Sequence, residues 1–424
     1  MKHAGKEQAR WAIPFFSIWT GQQLSWIGSS VAQFALVWWV TELTGSATVL
    51  ATATLISLLP GVLLGPLVGA LVDRWNRRVV MVVADSFVAL ASAWLAYLFG
   101  TGAMRIEHVY VIMLARAIGN AFHFPAMQAS TSLMVPQKHL PRVAGISQMM
   151  GGAVSIISPP LGALLLSLLP LQGIMAIDVV TAAFAIAPLF FVAVPQPQRT
   201  ESAAGVAGVW NDVRGGFRYI RGWPGLVAIC VMAMGINFLV NPAFALMPIL
   251  ITDHFGGGAF QLSWLNSAWG IGLVTGGLIL GAWGGFRRRV VTGLLGVAGS
   301  GVGVLLVGLT PATVFPLAVG GMFFGAAMNA ICNGSMFALL QKVVAPEMQG
   351  RVFTVVMSLC SAMAPIGMAV AGPAADALGI SALYVIAGAG TLLLGIGAFF
   401  VPVIMQVEDN HRKTESIEQA AFAA

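Results

Sequence analysis

Hydrophobic residues along this chain come in long blocks rather than in alternation, and short polar stretches separate the blocks. About twelve runs stand out, near 15–41, 48–71, 79–99, 109–134, 143–169, 174–194, 225–252, 260–283, 290–309, 314–340, 352–375 and 381–406. Each holds roughly 20 residues or more, so a helix rising about 1.5 Å per residue would cross a hydrocarbon layer of about 30 Å. The same lengths argue against strands, because a barrel strand needs only about 10 residues and alternates apolar with polar positions. The first run is too long for a secretion signal and no small-residue cleavage site follows it, so it counts as a span.

Composition agrees. Hydrophobic residues make up 58% of the 424 and charged residues 8%, too little polar surface to cover a water-soluble fold. The expected fold class is an all-α membrane protein with twelve transmembrane helices in two pseudo-symmetric six-helix bundles. Cys230, Cys332 and Cys360 all fall inside spans and offer neither a disulfide framework nor metal-ligand spacing. With the N-terminus in the cytoplasm, 19 of the 21 basic residues lie in inner segments, while Arg105 falls in an outer loop and Arg116 within a span. Positive charge is retained on the inner side, so both termini are expected in the cytoplasm. The net charge of +6 then needs no nucleic-acid partner.

The longest interior break, residues 195–224, contains PQPQRTESAAG and then VWNDVRGGFRYIRGW, which predicts a short basic amphipathic helix at the membrane surface. It divides the chain into a bundle at 1–194 and a second at 225–406, with a tail at 407–424. The halves are weakly alike. A slide of 211 residues superimposes Gly61 and Gly65 on Gly272 and Gly276, and Arg77 and Arg78 on Arg288 and Arg289. Duplicated bundles joined by a loop are the plan of rocking transporters with a midplane site.

Polar side chains are costly in lipid and should face protein or a water-filled cavity. Gln22, Trp26, Ser29 and Gln33 share one face of span 1, and Arg116, Asn120 and His123 one face of span 4. Spans 7 and 10 carry Asn237 with Asn241 and Asn329 with Asn333, one turn apart. Every third helix is thus polar on one side, which suits a substrate pathway built of three-helix units; hydrogen bonding between packed helices is the alternative. Gln148, Asn266, Asp85 and Asp178 lie on other spans. Asp178 and Arg116 sit at depths within about 5 Å of each other, which permits an ion pair. A buried carboxylate deprived of its partner takes up a proton, so Asp85, Arg116 and Asp178 are candidates for proton coupling, with His123 a further titratable group. Gly61, Gly65 and Gly69 recur every four residues and predict close helix approach. SPPLG at 158–162 and APIG at 364–367 predict bends in spans 5 and 11.

The segment GALVDRWNRR resembles the loop 2-3 signature of the major facilitator superfamily, Gly-x-x-x-Asp-Arg-x-x-Arg-Arg. Within it, IWTGQQLSWIGSS, LTGSATVL, GALVDRWNRRVVMVVAD, RAIGNAFHFPA, AIDVV and GRVF resemble Mef-type macrolide efflux proteins of the twelve-span drug:proton antiporter group. The resemblance implies a cytoplasmic gate at Gly69, Asp73, Arg74, Arg77 and Arg78. It also implies a proton-coupling role for the span 4 arginine, matched by Arg116. Two departures stand out: span 1 has no acidic residue, and the second-half loop reads GAWGGFRRR, with Gly284 where the slide places Asp73.

The function expected is export of amphipathic, macrolide-like small molecules driven by protons across the bacterial cytoplasmic membrane, by a monomer with no cofactor beyond the gradient. Siderophore or lipid export is the alternative within the fold. Trp26, Phe122, Phe124, Phe238, Phe244 and many methionines are expected to give the cavity an adaptable apolar lining. A membrane-embedded enzyme finds no support, since HExxH, G-x-S-x-G and paired catalytic residues are missing. A channel lacks a filter-like loop, and no nucleotide-binding loop points to an ATP-driven pump.

Overall fold

The computed structural model describes residues 11–196 and 206–408, apart from the side chains of 65–67, 69, 70, 73, 74, 141, 206–213, 346 and 347. The first six long helices are α1 (Ala12–Thr44), α2 (Ala47–Arg74), α3 (Arg77–Thr101), α4 (Ile106–Met134), α5 (Leu140–Leu168) and α6 (Leu171–Phe191). The shorter α7 (Val206–Arg221) precedes the second six: α8 (Pro224–Ala245), α9 (Ala259–Trp283), α10 (Arg289–Leu309), α11 (Phe315–Val343), α12 (Pro346–Leu378) and α13 (Ile380–Phe399). A last turn, α14, covers Pro402–Met405.

Ten of these helices are long and apolar enough to cross a membrane by length and composition. The two long helices outside that set are α1 and α4, whose apolar runs are interrupted by Gln22, Gln33, Arg116 and Asn120. Polarity in those two is therefore concentrated on faces that lipid does not wet.

Local chemistry sets several ends. Asn76 accepts from the N–H groups of Arg78 and Val79 and so caps α3. Gly102, at φ 68°, ends the same helix in a left-handed conformation that other residues adopt at a cost. Two expected spans are shorter than their apolar runs. The seventh stops at Ala245, followed by a turn at Met247–Ile249 and a π turn at Leu250–His254, because Pro242 and Pro248 each remove a helical donor. The twelfth stops at Phe399 and resumes at Pro402, which has no N–H to continue the ladder.

The chain divides into two compact units. One holds the described residues up to Thr44 together with Thr52–Val206; the other holds Gly45–Ala51 and the chain from Ala207 onward. The linker helix α7 thus groups with the second bundle, and so does the opening of α2, whose Ala47 and Thr48 N–H groups donate to Asp376 at 2.8 and 3.1 Å.

Within the first unit, α1 presses on α6 through glycines. A Cβ at Gly21 would collide with the carbonyl oxygen of Phe184, and one at Gly28 with the Thr181 hydroxyl. Gly61, expected to serve close approach on α2, instead faces open space. Gly65 and Gly69 lie outside the described side chains. In the second unit α10 is the buried helix. Its Gly296 and Gly308 would place a Cβ 2.7 Å from the backbone nitrogens of Cys332 and Val385, so α11 and α13 approach it at backbone distance.

Both units are fastened by the same device. In the first, the Gln196 side chain, just past α6, accepts from the Arg77 N–H that opens α3 (3.1 Å). In the second, Glu408, just past α14, accepts from the Arg289 N–H that opens α10 (3.2 Å). Each acceptor follows its donor by 119 residues, so one pair maps onto the other by a single shift close to the slide seen in the sequence. Glu408 is buried and also pairs with Lys342 at 3.6 Å, and its neighbour Val407 fills the space over Gly225.

Glu408→Ala is expected to lower stability by about 1–3 kcal/mol by leaving a buried helix-end donor unpaired. Glu408→Gln, which reproduces the first unit's clasp, should retain most of it. Thermal unfolding of the full chain in detergent reads the difference; equal losses in both variants would show that the ion pair, not the cap, holds the segment.

Candidate functional site

The polar faces of α1 and α4 open on one cavity of about 1060 Å³, wholly within the first unit. Gln22, Trp26, Ser29 and Gln33 line it from α1, Arg116, Asn120 and His123 from α4, Asp85 from α3 and Gln148 from α5. Gly21 and Gly28 hold α1 against α6, and this contact turns the adjoining Gln22 and Ser29 face onto the cavity.

Beside the cavity lies a buried ionic cluster. Asp178 on α6 accepts from Ser29 Oγ through Oδ1 (2.7 Å) and from Ser92 Oγ (2.7 Å) and Arg116 Nη1 (2.6 Å) through Oδ2. Arg116 Nη1 also donates to the Ser92 hydroxyl, and Nη2 donates to the Ser29 carbonyl at 3.4 Å. Four helices, α1, α3, α4 and α6, meet in this network. Both carboxylate oxygens carry fixed donors, and the guanidinium faces its counter-charge, so two ions can be buried without being stranded.

A second ionisable pair is built differently. Asp85 Oδ2 accepts from Gln22 Nε2 at 2.7 Å, whereas Oδ1 stands 3.3 Å from His123 Nε2, off the hydrogen-bonding direction. The Asp85 and His123 side chains are 11% and 20% exposed, against 2% for Asp178. Among the described residues that line the cavity, Asp85, Arg116 and His123 are the ionisable ones, and Arg116 is already matched by Asp178. Asp85 with His123 is the pair that water in the cavity can reach.

Of the expected gate residues, Gly69, Asp73 and Arg74 lie outside the described side chains. Arg77 Nη1 donates to the Ala129 carbonyl near the end of α4 (2.9 Å), and Arg78 Nη2 to the Phe190 carbonyl in the last turn of α6 (2.7 Å). The Arg78 guanidinium therefore meets the negative end of α6, while Arg77 ties α3 to a carbonyl inside α4.

In the second unit the asparagines bond along their own helices. Asn241 donates to Asn237, which donates to the Ala233 carbonyl, and Asn333 donates to Asn329. Neither pair bonds to the other. Among the aromatic residues expected to line the cavity, Trp26 and Phe124 do so. Phe122 does not: it stacks on Trp75 (centroids 6.2 Å apart, planes at 7°) and packs into the first unit's core. Phe244 packs edge-on against Trp269.

Sequence reasoning missed Ser92, which stands seven residues after Asp85 on the same face of α3 and whose spacing alone could have flagged it. It also missed Gln23, Gln128 and Ser147 in the lining, the last of which accepts from Trp19 Nε1 at 3.1 Å.

A family model described as transmembrane secretion effector matches residues 10–422. Macrolide efflux protein A of Streptococcus pyogenes is 32% identical over 398 residues, covering 94% of this chain and 97% of its own length. Multidrug efflux pump Tap of Mycolicibacterium fortuitum is 27% identical, over 90% of this chain and 94% of that one. In three dimensions a variant of the nucleoside transporter NupG superposes with a TM-score of 0.68 over 93% of this chain and 100% of its own, at 13% identity, a likeness of fold.

Asp178→Asn leaves the buried Arg116 charge uncompensated and is expected to destabilise the chain by about 3–5 kcal/mol. Replacing both partners by leucine should cost far less than the two single changes added together. A double-mutant cycle on thermal unfolding measures this coupling, and simple additivity would show that the pair does not act as one.

Proposed function

This chain belongs to the transmembrane secretion effector family of major facilitator transporters, and on that premise we propose that it exports macrolide-like amphipathic drugs by proton-driven alternating access. The observation that carries the reading is the cavity of about 1060 Å³, large enough for a drug-sized molecule, in which amides and hydroxyls alternate with Trp19, Trp26, Phe124, Met113 and Met127. Such a lining offers scattered hydrogen bonds to a weakly polar substrate and adaptable apolar contact for the remainder. Relatives along nearly the whole chain are macrolide and multidrug efflux pumps, which supports the same substrate class.

For the coupling step we assign the proton to Asp85, with His123 as its neighbour and Gln22 as its fixed donor. Support comes from the contrast between the two acids: Asp178 is saturated by three donors, while one oxygen of Asp85 faces an unaligned imidazole beside the cavity. A proton-carrying group must be reached by water and must be able to change partners, and Asp85 meets both conditions. Arg116 and Asp178 then act as a structural clamp that shapes the wall. The termini are assigned to the cytoplasm from the distribution of basic residues.

Cells lacking their own exporters and expressing this chain should accumulate less radiolabelled macrolide than empty cells, and a protonophore should abolish the difference. Asp85→Asn is expected to raise accumulation to the level of empty cells while macrolide still binds the purified protein. Equal accumulation with and without the chain, for macrolides and for other amphipathic dyes, would overturn the export reading. Protonophore-sensitive export by the Asp85→Asn variant would overturn the assignment of the proton to Asp85 alone.

A further inference from the structure

The helix α7 is held to the second unit by one side and leaves the other bare. On the held side Ile220 is buried with Leu226, Val344 and Val352, Tyr219 Oη accepts from the Ala345 N–H at 3.3 Å, and a Cβ on Gly216 would lie 2.7 Å from the Arg351 carbonyl oxygen. On the bare side Arg214, Arg218 and Arg221 follow one another at helical spacing, all exposed, with Phe217 between them at 53% exposure. Among the described residues none of these three arginines meets an acidic side chain, so the face carries three uncompensated positive charges.

We propose that this face is a docking surface for the headgroups of anionic phospholipids. The geometry favours the bilayer over a soluble acidic partner. α7 ends three residues before α8, a membrane-spanning helix, and the intervening Trp223 stacks on Tyr219 with centroids 6.3 Å apart and planes at 13°. The junction is therefore short and braced, so α7 is kept at the level where a span meets the headgroups. There the guanidinium groups reach phosphate oxygens, and the Phe217 ring enters the boundary between headgroups and acyl chains. An acidic protein or free phosphate would satisfy the arginines but would leave the ring in water. Fixed by its buried face, the helix loses little freedom on meeting lipid, so the attraction per arginine is fully expressed.

The test uses the full chain in nanodiscs of phosphatidylcholine alone or mixed in equal parts with phosphatidylglycerol. Hydrogen exchange follows residues 206–221, and native mass spectrometry reads the lipids retained. Wild-type protein should retain phosphatidylglycerol preferentially and show slower exchange in the mixed discs. Combined Arg214→Gln, Arg218→Gln and Arg221→Gln should remove the preference, by roughly fivefold for each arginine. Phe217→Ser should speed exchange and leave lipid selectivity in place. Macrolide binding and thermal unfolding, which these exposed side chains do not touch, report that the variants are folded. An unchanged preference in the triple variant overturns the proposal, as does equal protection in both kinds of disc. Protection of the detergent-solubilised chain by glycerophosphate to the same degree would assign the face to free phosphate and overturn it too.

Discussion

Burying the Arg116 guanidinium and the Asp178 carboxylate together, away from water, is the constraint around which the first bundle is organised. Two such ions are tolerable in a lipid-immersed fold only if each meets its opposite and the remaining lone pairs are filled. Ser29 and Ser92 do the filling, so the requirement reaches beyond the pair and fixes four helices in mutual register. The glycines at 21 and 28 belong to the same solution, because Ser29 reaches Asp178 only if α1 lies close against α6. Beside this firmly held wall, Asp85 has a single fixed donor, Gln22, and one oxygen facing an unaligned imidazole.

The clasp after each bundle tells a different story about duplication. Gln196 and Glu408 perform the same capping at the same separation from their donors, although one is neutral and the other charged and paired with Lys342. What the two halves share is thus a backbone need, an open N–H at the start of a helix, rather than a particular side chain. The segments beside the clasps have diverged further: in the first, α2 carries Asp73 in its last turn and only Trp75 and Asn76 separate it from α3, while the second turns at Gly284 and Gly285, both at positive φ.

Much of the architecture was legible from run length, since few structures besides a helix can cross lipid with every backbone group paired. The faces of α1 and α4 were legible too, because polar residues four and three apart in an apolar run share one helical side and are costly to leave against lipid. Depth along the helix predicted that Arg116 could reach Asp178; lateral adjacency, which sequence does not encode, comes from α3, which packs against both α4 and α6. Ser92 escaped notice because serine is cheap in a membrane helix and bonds to its own backbone. Phe122 was misplaced because the helix turns by about 100° per residue: its ring falls on Trp75 and the core, while Phe124, two positions on, comes round to the cavity. The interruptions at Leu246 and Phe399 follow from prolines whose effect on apolar runs is invisible to hydropathy.

Trp26 rests over Gly151, where an added Cβ would come within 3.3 Å of its indole ring. On a scaffold otherwise locked by ions and close-packed backbones, this is a hinge for shape: one of the two indoles in the lining leans on a position with no side chain of its own. A methyl group at residue 151 would oblige the indole to give way, so a single position behind the lining governs the shape of the chamber at Trp26.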